Sequence, residues 1–151
     1  MKNQNRVRVA TVALVPGSLA AAAVSAPLFA YLGFSLAVFA IAQFFSAVCH
    51  QDPARSLWIL GAPVAVCTRC LGIYLGAAAG VWLRVSRPLI LAALSVVAAL
   101  NLADYAAELA GLHGNWPGTR FVLGATLGAG LGALVAAAIR EPQRHAETTT
   151  A

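Results

Sequence analysis

Charge is what this chain has least of. Only 10% of its 151 residues are charged, where a soluble domain of this size carries roughly a quarter. With 60% of residues hydrophobic, the polar surface is too scarce to cover a water-soluble globule. No polar stretch is long enough to fold alone, which excludes a catalytic domain hung on an anchor as well as a disordered tail protein. Cysteine is scarce too. Three residues exclude a disulfide-stapled miniprotein, and an odd number leaves at least one as a thiol, a ligand or an intermolecular partner. The formal net charge of +5 does not indicate nucleic acid, because the basic residues are scattered at segment ends, where they suit topology and anionic headgroups.

What is present is long apolar sequence. A membrane span needs about 20 residues at about 1.5 Å each. Val9 to Val48 is free of charge and too long for one helix, so Pro27 divides it into spans over Val9–Ala26 and Leu28–Val48. A third span starts near Cys67–Leu71 and ends at Leu83, before Arg84 and Arg87. A fourth opens on Pro88, suited to a first helical turn, and runs to Leu109. Gly111–Thr119 reads as a loop from its Gly and Pro content, and Phe121–Ile139 is a fifth span. The expected fold is an all-α polytopic bundle: a polar N-terminus (1–8), one helical domain (9–139) and a polar tail (140–151). A bilayer is its first partner, and a homo-oligomer or a membrane partner is compatible with it. The location is a prokaryotic cell membrane, crossed several times.

The first residues also mimic a signal peptide, with Lys2, Arg6 and Arg8 ahead of an apolar run and Val24-Ser25-Ala26 as a small-residue cleavage site. Pro16-Gly17 interrupts that run, and Pro27 would become the new first residue, so the uncleaved reading is preferred. Five crossings put Lys2, Arg6, Arg8, Arg55, Arg69 and Arg120 on the N-terminal side, against Arg84, Arg87, Arg140 and Arg144. That margin is too small to orient the chain, and it reverses if the first apolar run does not span twice.

One inference is independent of orientation. The segments joining helices two and three and helices four and five are separated by two crossings, so they share a membrane face. That face collects all three cysteines, His50, His113, Asp104, Glu108 and Arg120. Gly72, Gly76 and Gly80 in helix three, and Gly124, Gly128 and Gly132 in helix five, form small-residue ridges that predict a tight contact between these helices.

The chemistry concentrates in Cys49-His50-Gln51-Asp52-Pro53-Ala54-Arg55-Ser56 and Cys67-Thr68-Arg69-Cys70. The Cys-x-x-Cys spacing brings two sulfurs to one point, and Cys70 opens a helix whose dipole favours thiolate, with Arg69 beside it. Cys49, His50, Cys67 and Cys70 make up a tetrahedral zinc complement. Adjacent Cys49 and His50 project about 100° apart on a helix, so both reach one ion only if the helix unwinds there. Asp52-Pro53 then caps a short helix running through Leu60 and ended by Gly61, with Trp58 at the membrane interface. Two other readings compete with the metal site. One is a thiol–disulfide couple of Cys67 and Cys70 with Cys49 as exchange partner, in an oxidoreductase that passes electrons to a quinone. The other is plain apolar packing. A transporter or partner subunit in which the cysteines only clip two helices is a further class.

On helix four, Asn101, Asp104, Tyr105 and Glu108 share a stripe. Asp104 is expected to pair with Arg120 or Arg69, and Glu108 to reach water. His113 and His145 read as solvated. Arg55, Arg69 and Arg120 offset the charge of thiolates and carboxylates.

The run Cys49, His50, Gln51, Pro53, Arg55, Ser56, then Cys67, Arg69, Cys70, Gly72, Tyr74 and Gly76, resembles the signature of the predicted membrane proteins grouped as domain of unknown function 2085. The resemblance continues through Asp104, Asn115, Arg120, Gly124 and Gly128, over about residues 30–132. Where the family pattern reads Arg-x-x-Thr-Gly, this chain has Leu123 before Gly124. The resemblance implies a small multi-helix membrane protein, groups these residues in one site and brings no activity.

Overall fold

The computed structural model describes residues 2–112, 114 and 116–149, with side chains described between 7 and 140. His113 and Asn115 lie outside the described residues, as do the side chains of Lys2, Arg6, Arg144 and His145. The elements are α1 (Lys2–Tyr31), α2 (Ser35–Ser46), a 3-10 turn (Pro53–Arg55), β1 (Ser56–Ile59), β2 (Ala62–Cys67), α3 (Thr68–Gly80), α4 (Arg87–Leu109) and α5 (Pro117–Thr149). The all-α bundle is therefore observed, with one small antiparallel hairpin added.

Among the described residues, three helical stretches are long and apolar enough to cross a membrane: Val7–Tyr31, Arg87–Leu109 and Pro117–Arg140. Helices α2 and α3, at 12 and 13 residues, rise only about 18 and 20 Å, both short of a bilayer core of about 30 Å and of the spans expected there. Helix α3 nonetheless runs from the main core at Leu71 to the Val9 level, where Val81 packs, and α2 does not. The division of the first apolar run is not at Pro27. That residue is fully buried inside α1, and the chain turns instead at Gly33, whose φ is +81°. There Phe34 N–H donates to the Phe29 carbonyl at 2.9 Å and Gly33 N–H to Ala30 at 3.1 Å, a glycine-terminated helix end that proline does not supply. A single proline removes one internal hydrogen bond, which neighbouring segments compensate in lipid.

Gly111 ends α4 by the same device, with φ of +70° and bonds from Gly111 to Glu108 and from Leu112 to Ala107, both 2.9 Å. Helix α5 begins at Pro117, four residues earlier than expected, and its backbone stays helical to Thr149 rather than stopping at Ile139.

The short helix expected over Pro53–Leu60 is also replaced. One 3-10 turn gives way to β1, and Leu60 and Gly61, with φ of +53° and +79°, form a two-residue turn between paired Ile59 and Ala62. The run Leu57-Trp58-Ile59 and the alternation around Val64 and Val66 suit strands, and Gly61 supplies a turn conformation other residues resist. Asp52 still caps as expected, accepting from Ala54 N–H at 2.9 Å. Trp58 is exposed, and its indole N–H donates to the Pro53 carbonyl at 3.0 Å.

The main core joins α1 (Ala20, Ala23, Ala26), α2 (Phe45), Cys49, β2 (Val64, Ala65, Val66) and Leu71 of α3. A second cluster, Val9, Val81 and Ala136, closes the other end. Helix α3 runs antiparallel to α1, with Gly17 facing Ala78, and parallel to α5. Helix α2 returns along α1 only to the level of the main core. The chain then enters the hairpin and α3, so it does not cross back to the Val9 end. The N-terminal end of α1 thus lies with the end of α3 and with Arg140, whose guanidinium donates to the carbonyls of Val81 at 2.7 Å and Leu83 at 2.9 Å. The earlier grouping of Lys2, Arg6 and Arg8 with Arg55, Arg69 and Arg120 is overturned, because α1 and α2 together make one crossing.

The expected contact between α3 and α5 is present as backbone on backbone. A Cβ on Gly76 would overlap the Ala125 carbonyl, one on Gly80 the Ala129 carbonyl, and one on Gly128 the Ile73 carbonyl. Gly76→Ala should therefore lower stability by about 1–3 kcal/mol through overpacking. Gly118→Ala, in open space, should leave the thermal midpoint in detergent within about a degree of wild type, since surface changes are small.

Candidate metal centre

Four elements converge at the end of the bundle where α3 and α5 begin. Cys49 follows α2 and is buried, and Cys67 and Cys70 stand at the cap and first turn of α3. Their three sulfurs lie within 4.8 Å of one another, and all three cysteines are free thiols. Local structure places them there. Gln51 adopts φ of +54°, and its side-chain amide donates to the carbonyls of Ala42 and Ala65, each at 2.8 Å, tying α2 to β2. Thr68 Oγ1 donates to the Arg55 carbonyl at 2.9 Å and locks the start of α3 to the 3-10 turn. Ser56 Oγ donates to the Asp52 carbonyl at 2.9 Å. Of these positioning residues only Gln51 and Ser56 stood out in the sequence, as motif letters. The signal for Gln51 was its place beside Cys49 and His50.

The sulfur of Cys49 accepts the Cys67 backbone N–H at 3.2 Å. Hydrogen bonds from the Cys67 and then the Cys70 thiol hold the Cys49 thiol far below the ordinary range, against the opposing effect of burial. The lowering within this trio falls on Cys49, where the helix-dipole argument pointed to Cys70. His50 is exposed and stands apart from the three-sulfur group. The physical reason is the one visible in the sequence: neighbouring residues project apart, and Gln51 is pinned so that Cys49 alone turns inward.

A layer of ion pairs joins the same elements. Arg69 pairs with Asp104, linking α3 to α4, as the sequence allowed. Arg120 pairs with Glu108 rather than with Asp104, and Glu108 also takes Arg55 at 3.1 Å, so the glutamate is held inside and does not simply face water. Arg55 reaches Asp52 as well, at 3.3 Å. Arg69 and Arg120 sit in first turns, where their charge opposes the helix dipole, and Glu108 sits in a last turn, where its charge does the same. Pairing across elements compensates all three. Asn101 donates to the Leu123 carbonyl at 3.2 Å, joining α4 to α5.

Removing the carboxylate by Glu108→Ala leaves Arg120, only 5% exposed, as an uncompensated buried charge, and should cost about 3–5 kcal/mol. Asp52→Asn keeps the cap and weakens only a half-exposed pair, so its effect should stay within about 1 kcal/mol. Unfolding midpoints of the two variants in one detergent provide the comparison.

An uncharacterized protein of Methanocaldococcus jannaschii, MJ1492, is 44% identical over an alignment of 63 residues that covers 36% of this chain and 38% of that protein. The chain thus matches well under half the length of this relative. No solved structure matches. The family model described as "Predicted membrane protein (DUF2085)" matches residues 49–134, opening on Cys49 and taking in the hairpin, α3, α4 and most of the apolar part of α5. Covering more than half of the sequence, that match places the chain in the DUF2085 family.

Proposed function

We propose that this membrane protein binds one metal ion, zinc, through Cys49, Cys67 and Cys70 at one face of the bilayer. The observation that carries the reading is the approach of three free sulfurs to within 4.8 Å of one another. Zinc–thiolate bonds of about 2.3 Å in a tetrahedron need sulfurs about 3.8 Å apart, a contraction of at most about 1 Å. A Cys49 thiol already disposed to lose its proton meets the first requirement of a metal ligand. The first turn of α3 supplies positive potential for the net negative charge of three thiolates on a divalent ion. With His50 turned outward, the fourth position falls to water or to an incoming donor, the arrangement of reactive rather than purely structural zinc sites. His50 is the nearest side chain in sequence able to close the site if residues 49–51 rearrange. In this reading one membrane-embedded domain, residues 9–139, carries the centre between short polar ends.

A second reading is favoured by the three free thiols standing within reach of one another. In a thiol–disulfide oxidoreductase, Cys49 would attack an incoming disulfide and release one thiolate. Cys67 or Cys70 would then attack the mixed disulfide and release the other, leaving an internal disulfide.

Elemental analysis of detergent-purified protein decides between them. Zinc binding predicts close to one zinc per chain, lost in Cys67→Ser and retained in His50→Ala. Metal-free protein in which two thiols become alkylable only after dithiothreitol would establish the redox reading instead.

A further inference from the structure

The fold sorts the charges of this chain by membrane face. At the end marked by Val9, Val81 and Ala136 lie Lys2, Arg6 and Arg8 on the first turns of α1, Arg84 and Arg87 between α3 and α4, and Arg140, followed on α5 by Arg144. These seven basic residues face only two acidic ones there, Glu141 and Glu147. The opposite end holds Arg55, Arg69 and Arg120 with Asp52, Asp104 and Glu108, three against three, and every one of those arginines is engaged with a carboxylate. The whole net charge of +5 therefore belongs to one end. Lysine and arginine near the ends of membrane helices are retained on the cytoplasmic side, and seven against three is a decisive count where six against four was not.

We propose that the Val9–Arg140 end lies in the cytoplasm and that the three-thiol centre opens to the compartment outside the membrane. The packing directions of the helices give the same arrangement, with an even number of passes between the two ends. Helix α1 leaves the cytoplasm, α2 and the hairpin stay in the outer half, α3 returns, α4 leaves again and α5 brings the chain back. The outward loops are those with few positive charges, and the inward ones carry the excess. Resting on the metal reading, the consequence is that the ion and any fourth donor arrive from outside the cell. Outside the cytoplasm thiols tend to oxidise, and a bound metal withholds all three sulfurs from that fate.

Cysteine accessibility in cells tests this. In a background with Cys49, Cys67 and Cys70 changed to serine, Leu112→Cys should react with a membrane-impermeant maleimide in intact cells. Ser86→Cys, at the exposed start of α4, should react only after permeabilisation. Because the triple serine background can fail to fold, the unmutated chain is also fused at its C-terminus to a fluorescent protein that matures only in the cytoplasm, or to an alkaline phosphatase active only outside. Fluorescence without phosphatase activity is expected. Labelling of Ser86→Cys in intact cells, or an active phosphatase fusion, would overturn the orientation. Neither readout depends on metal content, so orientation and metal binding stand or fall separately.

Discussion

Backbone contact between α3 and α5 is the constraint on which the rest of the molecule depends. Lipid tails are as apolar as leucine, so two helices gain nothing from simply hiding apolar surface from one another. What holds them is van der Waals contact at a distance that only glycine permits, repeated along both helices from Gly72 to Gly80 and from Gly124 to Gly132. The register is set by these contacts, with Gly124 against Arg69 and Gly132 against Ala77. It places the N-terminal turns of two parallel helices side by side. Two positive dipole ends and two first-turn arginines then meet at one face, which creates a strong demand for negative charge. Asp104 and Glu108 from α4 and the Cys49 sulfur meet that demand.

The second feature is a re-entrant unit that enters from the same face. Helix α2 is too short to cross, and the strand hairpin brings Val64, Ala65 and Val66 into the core against alanines of α1. Non-helical backbone at this depth is tolerable only when its polar groups are satisfied inside the protein. The side chains around the thiols do this work. The Gln51 amide serves two carbonyls, the Thr68 hydroxyl serves a third, and the Cys49 sulfur receives the N–H of Cys67. Cys49 and Gln51 of the motif are thus part of the architecture that lets the hairpin exist, and the sulfur cluster is a product of the same hydrogen bonds.

Charge distribution connects fold to membrane. Pairing three arginines with three carboxylates neutralises the thiol end, and one of those arginines is almost wholly buried. The other end keeps an excess of positive charge, including an arginine that binds the Val81 and Leu83 carbonyls just beyond α3. A bundle with one neutral face that gathers the thiols and one basic face is asymmetric from end to end in a way its composition does not reveal.

Much of this was legible in the residues themselves. Low charge and long unbroken apolar runs determine a helical membrane bundle, because only helices and closed barrels satisfy the backbone in lipid and a barrel strand would alternate apolar with polar residues. Glycines at four-residue spacing identify the α3–α5 contact, and the shared face of the two polar connections follows from counting crossings between them. Pairing of Asp104 with Arg69 was foreseeable, since a carboxylate inside a helix end needs a cation. Only tertiary structure decided the rest. Whether Pro27 or Gly33 turns the chain depends on which helix end can satisfy its carbonyls, and that choice reverses the side on which the first arginines lie. Whether Ser56–Cys67 is helix or hairpin depends on a core already formed by α1. The inward Cys49 and outward His50 follow from Gln51 being pinned by atoms nine and fourteen residues away, information that no local pattern contains.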